Sequence, residues 1–292
     1  MRKTLNFRNF DAELNTDRCD PINNAELTLT LRLGFRQINP PAGADAGIFH
    51  DYGISTNEAR KIIRWEPDAW TNWKNTLVSS AQRFWDGKFW LINDCLSFPF
   101  ESRGTLYYPN VWCRFELIGN EATAFGNHHT IDVVRLDPSE PWFGSTATLY
   151  DSKDTEPTLS GYTSTGQEIM QYTPVHEIGH LLGLNHVAVG KPYCPITGNA
   201  NNPKCYGVSD VDKQSVMGLG MELRPEHAYA WRESMRYFAT EELRTLAKHV
   251  RSDDTIAALM TPVSSLLSVW PSRMHKHNPR TAVEIEIASE LA

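Results

Sequence analysis

The sequence contains no run of about 20 consecutive apolar residues, the length a membrane-spanning helix needs. Its most apolar late stretch, TIAALMTPVSSLLSVW, is interrupted by Thr261, Pro262, Ser264 and Ser265, so no helical span is expected. The opening residues MRKTLNFRNFDAEL carry Arg2 and Lys3 but no apolar region behind them. A cleaved leader is therefore not expected, and secretion or injection by a leaderless route is expected over a cytoplasmic life. There is no excess of basic residues: 28 Lys and Arg stand against 35 Asp and Glu, a net charge of -7. A nucleic-acid partner is not expected from that balance. Internal repeats and low-complexity runs are also missing. Cysteine is scarce and odd in number: Cys19, Cys95, Cys113, Cys194 and Cys205 cannot all pair within one chain. Cys194 and Cys205 flank PITGNANNPK. They read either as a disulfide closing that loop in an oxidising compartment or as two unpaired thiols.

What is present suffices for a core: 292 residues, 41% of them hydrophobic. AELTLTLRLGF alternates, with Leu27, Leu29, Leu31, Leu33 and Phe35 on one side, which is the pattern of a half-buried strand. PDAWTNWKNTLVSSAQRFWDG places Trp70, Trp73, Leu77, Ala81, Phe84 and Trp85 at helical spacing, with Pro67 in the first turn and Gly87 at the stop. Its tryptophans read as core. VWCRFELI and TIDVVRL read as further strands, and FGSTATLY as an edge strand. RPEHAYAWRESMRYFA reads as a helix with Ala228, Trp231, Met235 and Phe238 on one stripe, and TEELRTLAKHV as another capped by Thr240. The expected class is α+β, a mixed twisted sheet with helices packed on it.

The chemistry concentrates in VHEIGHLLGLNHV, residues 175–187. Thr173 is expected to cap a helix with Pro174 in its first position; a start near Gln167 with a kink at Pro174 is the alternative. Either helix puts His176 and His180 on one face, since four residues make slightly more than one turn. Their imidazoles converge on one ion, for which zinc is suited. Glu177 projects about 100° away from His176, beside a water on that ion, where it is expected to act as general base and then acid. Gly183 lets the chain leave the helix in a conformation other residues resist, so that His186 returns as the third ligand. Three histidines leave a fourth position open, the arrangement of a catalytic zinc. Leu181, Leu182 and Leu184 are expected to pack the other side of this segment into the core.

HEIGHLLGLNH resembles the zinc-binding sequence of the metzincin metallopeptidases, with wording close to the matrixin and serralysin branches. The methionine of SVMGLG, Met217, resembles the family's methionine turn beneath the metal. The resemblance covers about residues 173–220. It implies an upper subdomain of sheet and helices over 25–186, including the active-site helix, and a smaller, mainly irregular and helical lower subdomain over 187–251. An N-terminal arm of 1–24 and an extension of 252–292 flank them. It implies a metalloprotease, a zinc-dependent endopeptidase acting on protein or peptide substrates, with Met217 and Gly183 as structural supports. It also implies that Ser145, Thr146, Ala147 and Thr148 of the edge strand bind extended substrate. The position two after the methionine, a tyrosine in serralysins and astacins, is Leu219 here, so no tyrosine ligand is expected from this turn. A cell-wall amidase, a delivered toxin or effector, and a non-enzymatic zinc-stabilised protein are the alternative readings of the same site.

Lesser signals remain. Cys19 in TDRCDP is similar to a latency cysteine of some metzincins but is read as an ordinary cysteine. His128 and His129, being adjacent, do not share an ion easily in a strand. Asp151 with Asp154 and Asp210 with Asp212 read as solvated turns, with calcium as the alternative. His227, His249, His275 and His277 show no ligand spacing.

Overall fold

Alternating apolar and polar residues make strands whose apolar side must find a cover, and the two longest strands before the histidines, over 25–38 and 111–121, are built this way. The computed structural model describes residues 2–50, 59–93, 99–141, 146–198, 201–247, 268–271 and 278–290. Cys95, Ser145, His249, His275 and His277 lie outside the described residues. The elements are β1 (Arg2–Asn6), β2 (Asp11–Asn15), β3 (Ala25–Ile38), β4 (Ala46–His50), β5 (Ala59–Ile63), α1 (Pro67–Trp85), β6 (Phe89–Ile92), β7 (Phe100–Ser102), β8 (Thr105–Tyr107) and β9 (Val111–Glu121). There follow β10 (His129–Val134), β11 (Leu149–Asp151), β12 (Thr158–Tyr162), β13 (Glu168–Gln171), α2 (Thr173–Leu181), α3 (Asp210–Gln214), α4 (Tyr229–Ala247), β14 (Ser268–Pro271) and α5 (Ala282–Glu290). The class is α+β with a mixed sheet, as the patterns predict. Among the described residues no helix is long and apolar enough to cross a membrane.

The chain divides into two compact units that do not follow chain order. The first comprises Met1–Thr30, Trp85–Glu116 and Arg224–Ala292. In it the strand order is β1-β2-β3-β9-β6-β14. One sheet face carries buried Ala12, Leu14, Leu27, Leu29, Val111, Cys113 and Phe115. The expected stripe of α4 is buried in the same unit: Trp231, Met235 and Phe238. The Trp231 ring lies 5.9 Å from that of Phe89 and 6.3 Å from that of Phe115, and its indole N–H donates to the Arg114 carbonyl at 2.8 Å.

The second unit comprises Leu31–Phe84 and Leu117–Leu223. Here the later half of β3 pairs in parallel with β10, and β10 in parallel with β11. Of the predicted stripe of α1, Trp70, Trp73, Leu77 and Ala81 are at most 4% exposed, while Phe84 is only half-buried. Trp73 meets Phe35 edge-on at 5.3 Å and stacks with Trp70 at 5.4 Å. The indole of Trp73 donates to the Asp151 carbonyl at 3.1 Å, tying α1 to β11. Gly119 of β9 packs tightly against α1: a Cβ there would collide with the Val78 side chain.

FGSTATLY does not form the continuous edge strand its alternation predicts. Among its described residues, Thr146 and Leu149 exchange two backbone hydrogen bonds around a turn at Ala147 and Thr148. The Thr146 hydroxyl accepts the Thr148 N–H at 3.3 Å, a local bond that competes with strand formation. The strand begins only at Leu149, and its three residues are all buried. Thr146, Ala147 and Thr148 are therefore turn residues.

Candidate metal and catalytic centre

The hairpin β12–β13 leads straight into α2. Tyr172, not Thr173, is the N-cap, and its carbonyl accepts the first backbone bonds from Val175 and His176. Thr173 and Pro174 already occupy the first turn, and no side chain caps the helix. Pro174 has no N–H to leave unpaired there. The alternative start near Gln167 is not seen, since Glu168–Gln171 form β13.

α2 ends as the glycine predicts. Gly183 has φ +89°. Its N–H donates to the His180 carbonyl at 2.9 Å, and the Leu184 N–H donates to the Gly179 carbonyl at 3.0 Å. This pair of bonds is the Schellman helix stop, which favours glycine at its left-handed position. The turn serves the site twice. It presents the Leu184 carbonyl to Nδ1 of His180 at 2.8 Å, and it brings His186 back. Of the three leucines expected to pack, Leu181 and Leu182 are buried, while Leu184 is half-buried.

His176, His180 and His186 come together, with ligand atoms all within 4.8 Å of one another. Nε2 of His180 and Nε2 of His186 are 3.1 Å apart. Two nitrogens at about 2.0–2.1 Å from one tetrahedral zinc are separated by roughly that much. His176 donates from Nδ1 to the Val216 carbonyl at 2.7 Å. With Nδ1 of His176 and of His180 both held by backbone carbonyls, the Nε2 atoms carry the free lone pairs. The donor set thus fits a metal ion. Burial and the neighbouring His180 lower the pKa of His176 to about 3, and burial lowers that of His180 as well; both rings are held in the neutral form a metal requires.

The methionine segment is stitched to the histidines by three successive carbonyls. That of Val216 takes the His176 proton, that of Met217 accepts the Val187 N–H at 2.9 Å, and that of Gly218 accepts from the Gln171 amide at 2.9 Å. Met217 itself is 1% exposed. The segment leaves no room for side chains at its glycines: a Cβ on Gly218 would collide with the Asp212 carbonyl oxygen, and one on Gly220 with that of Gln214. Leu219 is not a ligand, and its N–H donates to the Lys213 carbonyl at 2.8 Å.

Glu177 is 8% exposed. Burial first, and the charge of Asp154 second, push its pKa up to about 8. Asp154 and Asp151 are 1% and 0% exposed, so they are not the solvated turn the sequence suggests. Asp154 accepts the Asp151 N–H at 2.7 Å, and Asp151 accepts the Lys153 N–H at 2.6 Å. Asp210 sits at the start of α3 and accepts the Ser164 N–H at 2.7 Å, while Asp212 pairs with Lys191 at 2.7 Å. Neither aspartate pair belongs to a metal-ligand cluster among the described residues.

One residue of the centre escapes a reading of the sequence. Tyr206 lies against His186 with ring centroids 3.9 Å apart, and 6.0 Å from His176. Burial and the charge of Glu177 push its pKa up to about 12, so it is a protonated phenol at neutral pH. Its neighbour Cys205 is disulfide-bonded to Cys194, with Cα atoms 5.2 Å apart. The Ala188 N–H, two residues past His186, donates to the Cys205 carbonyl at 3.0 Å. The disulfide alternative of the sequence is thus the one adopted. His128 accepts the Arg32 N–H at 2.9 Å, a structural role. Cys19 belongs to the first unit, and burial pushes its thiol up to about 11. No family model, no curated protein and no solved structure matches the chain.

Proposed function

We propose that the chain is a zinc-dependent endopeptidase of metzincin type. The observation that carries the reading is a buried carboxylate one residue from a ligand in a three-histidine cluster. A site that only stabilised the fold has no need of Glu177. His176, His180 and His186 would hold the zinc, which supplies Lewis acidity toward a carbonyl oxygen and makes a water easier to deprotonate. Glu177 accepts a proton from the attacking water and delivers it to the departing amine nitrogen. Its raised proton affinity suits both halves of that task near neutral pH. The phenol of Tyr206 is a neutral hydrogen-bond donor for negative charge developing on the substrate. The carbonyls of Val216 and Leu184 orient the two imidazoles. The Cys194–Cys205 disulfide supports work in an oxidising compartment.

The test is digestion of a mixed, unfolded protein library by zinc-loaded wild type and by Glu177→Ala, read by mass spectrometry. Cleavages made by wild type alone support the reading. Equal cleavage by both proteins, with zinc confirmed in each, would remove Glu177 from the mechanism. Silence from both would count against an endopeptidase.

A further inference from the structure

The outer face of the first unit's sheet, opposite the buried Leu27, Leu29, Val111 and Phe115, carries a row of side chains that the proposed peptidase chemistry does not use. Asn15 of β2 pairs in register with Glu26 of β3, and Trp112 of β9 with Trp90 of β6. The Ala25 N–H donates to the Asn110 carbonyl, which sets Glu26 level with Trp112. Asn15, Glu26, Trp112 and Trp90 therefore cross four strands as one strip. The two indoles stack, with centroids 6.0 Å apart and planes 19° from parallel. The strip and the chain between β2 and β3, including Asp20, Asn23 and Asn24, line a half-open cavity of about 710 Å³. That is within the roughly 300–1,000 Å³ range of small-molecule sites.

The lining selects the ligand. An apolar molecule would strand the amides and carboxylates of the wall without partners. An anion would face Asp17, Asp20 and Glu26 against Arg18 alone. An organic cation has little to gain either. The Asp20 carboxylate already accepts from the Ile22 N–H at 2.8 Å and from the Asn23 amide at 2.6 Å, and Asp17 pairs with Arg2 at 3.6 Å. Trp112 already carries the Arg114 guanidinium 4.5 Å from its ring centre, so a second cation there would be repelled. What fits is a neutral ligand with an apolar C–H face for the Trp112 indole and hydroxyls on its edge. The indole face is electron-rich and suits such C–H groups, and side-chain amides and carboxylates offer donors and acceptors to hydroxyls.

We propose that this cavity is a binding site for a neutral saccharide, with the half-buried Trp112 as its apolar wall and Trp90, 8% exposed, packed against that indole. The experiment uses the full chain carrying Glu177→Ala, so that its result does not depend on peptidase activity. Cellopentaose, xylopentaose, maltopentaose and chitotetraose are titrated separately by calorimetry and by tryptophan fluorescence, with choline and spermidine as cationic controls. At least one oligosaccharide is expected to bind. Trp112→Ala is expected to weaken it by about tenfold or more at unchanged circular dichroism. Glu26→Ala, which leaves the indoles in place, serves as a second variant should Trp112→Ala not fold, with a loss in the same direction expected. No binding at millimolar saccharide, binding that both substitutions leave unchanged, or preference for choline or spermidine would each overturn the proposal.

Discussion

Tyr206 and His186 lie ring against ring, 3.9 Å between centroids, although 20 residues of chain separate them. A phenol held there, with its pKa raised to about 12, is a hydrogen-bond donor throughout the neutral range. Tyr206→Phe keeps the ring contact and removes the donor. It is expected to retain zinc and lower kcat by about 10²–10³-fold, the loss typical of a transition-state donor. Zinc content and single-turnover rates check it. An unchanged kcat would reduce Tyr206 to a packing role.

The disulfide beside Tyr206 is expected to matter for both stability and metal. Replacing Cys194 and Cys205 by serine removes a constraint worth about 2–4 kcal/mol in typical proteins. It also loosens the chain that carries Tyr206 and the Cys205 carbonyl toward the segment after His186. A lower Tm and weaker zinc retention against a chelator are the expected readouts. Equal zinc retention with and without the bridge would separate the bridge from the site.

Gly183 is expected to be intolerant of a side chain. At φ +89° an alanine is strained by about 1–2 kcal/mol, and relief of that strain would disturb the Leu184 carbonyl that holds His180. Gly183→Ala should therefore lower Tm and weaken zinc binding together. A drop in Tm with zinc affinity intact would show that the helix stop and the ligand set are independent.

His227 gives the first unit an acid limit. Burial, and then the Arg224 charge, lower its pKa from 6.5 to about 4. Its Nδ1 accepts the Arg224 N–H at 2.8 Å, which requires the neutral ring. The unfolded chain takes up this proton near pH 6.5, and the folded chain only near 4. The contribution is complete above pH 6.5 and is lost as pH falls toward about 4. His227→Gln, which can keep an acceptor, should flatten the fall of Tm across that window. A pH profile identical to wild type would exclude His227 as its source.

Much of this was open to a reading of residues alone, because it depends on short-range geometry. The spacing of His176 and His180 follows from the helical repeat, and the turn at Gly183 from backbone sterics. Trp70, Trp73 and Leu77 on α1, and Leu27 to Phe35 on β3, announce their buried sides by period. Thr173 misled because Ser- and Thr-type caps are common and Tyr172 caps with its backbone alone. The turn at Thr146–Thr148 was hidden because one hydroxyl bond outweighs a weak alternation. Tyr206 was out of reach for a different reason. Nothing local ties it to His186; its place depends on a bridge and on loop contacts made only once the chain has folded. The parallel pairing of β3 with β10 is likewise a long-range outcome that no window of sequence contains.

The close quarters at Gly218 and Gly220 have a bearing on how such a chain can vary over time. Met217 stands out in the sequence, yet what admits the segment to its place is two positions with no side chain at all. In a saturation library selected for zinc retention, positions 218 and 220 should collapse to glycine while Leu219 between them accepts substitutes. The tolerance of this segment to drift is then set by carbonyl oxygens of Asp212 and Gln214, atoms that every amino acid carries and no substitution at those positions can remove.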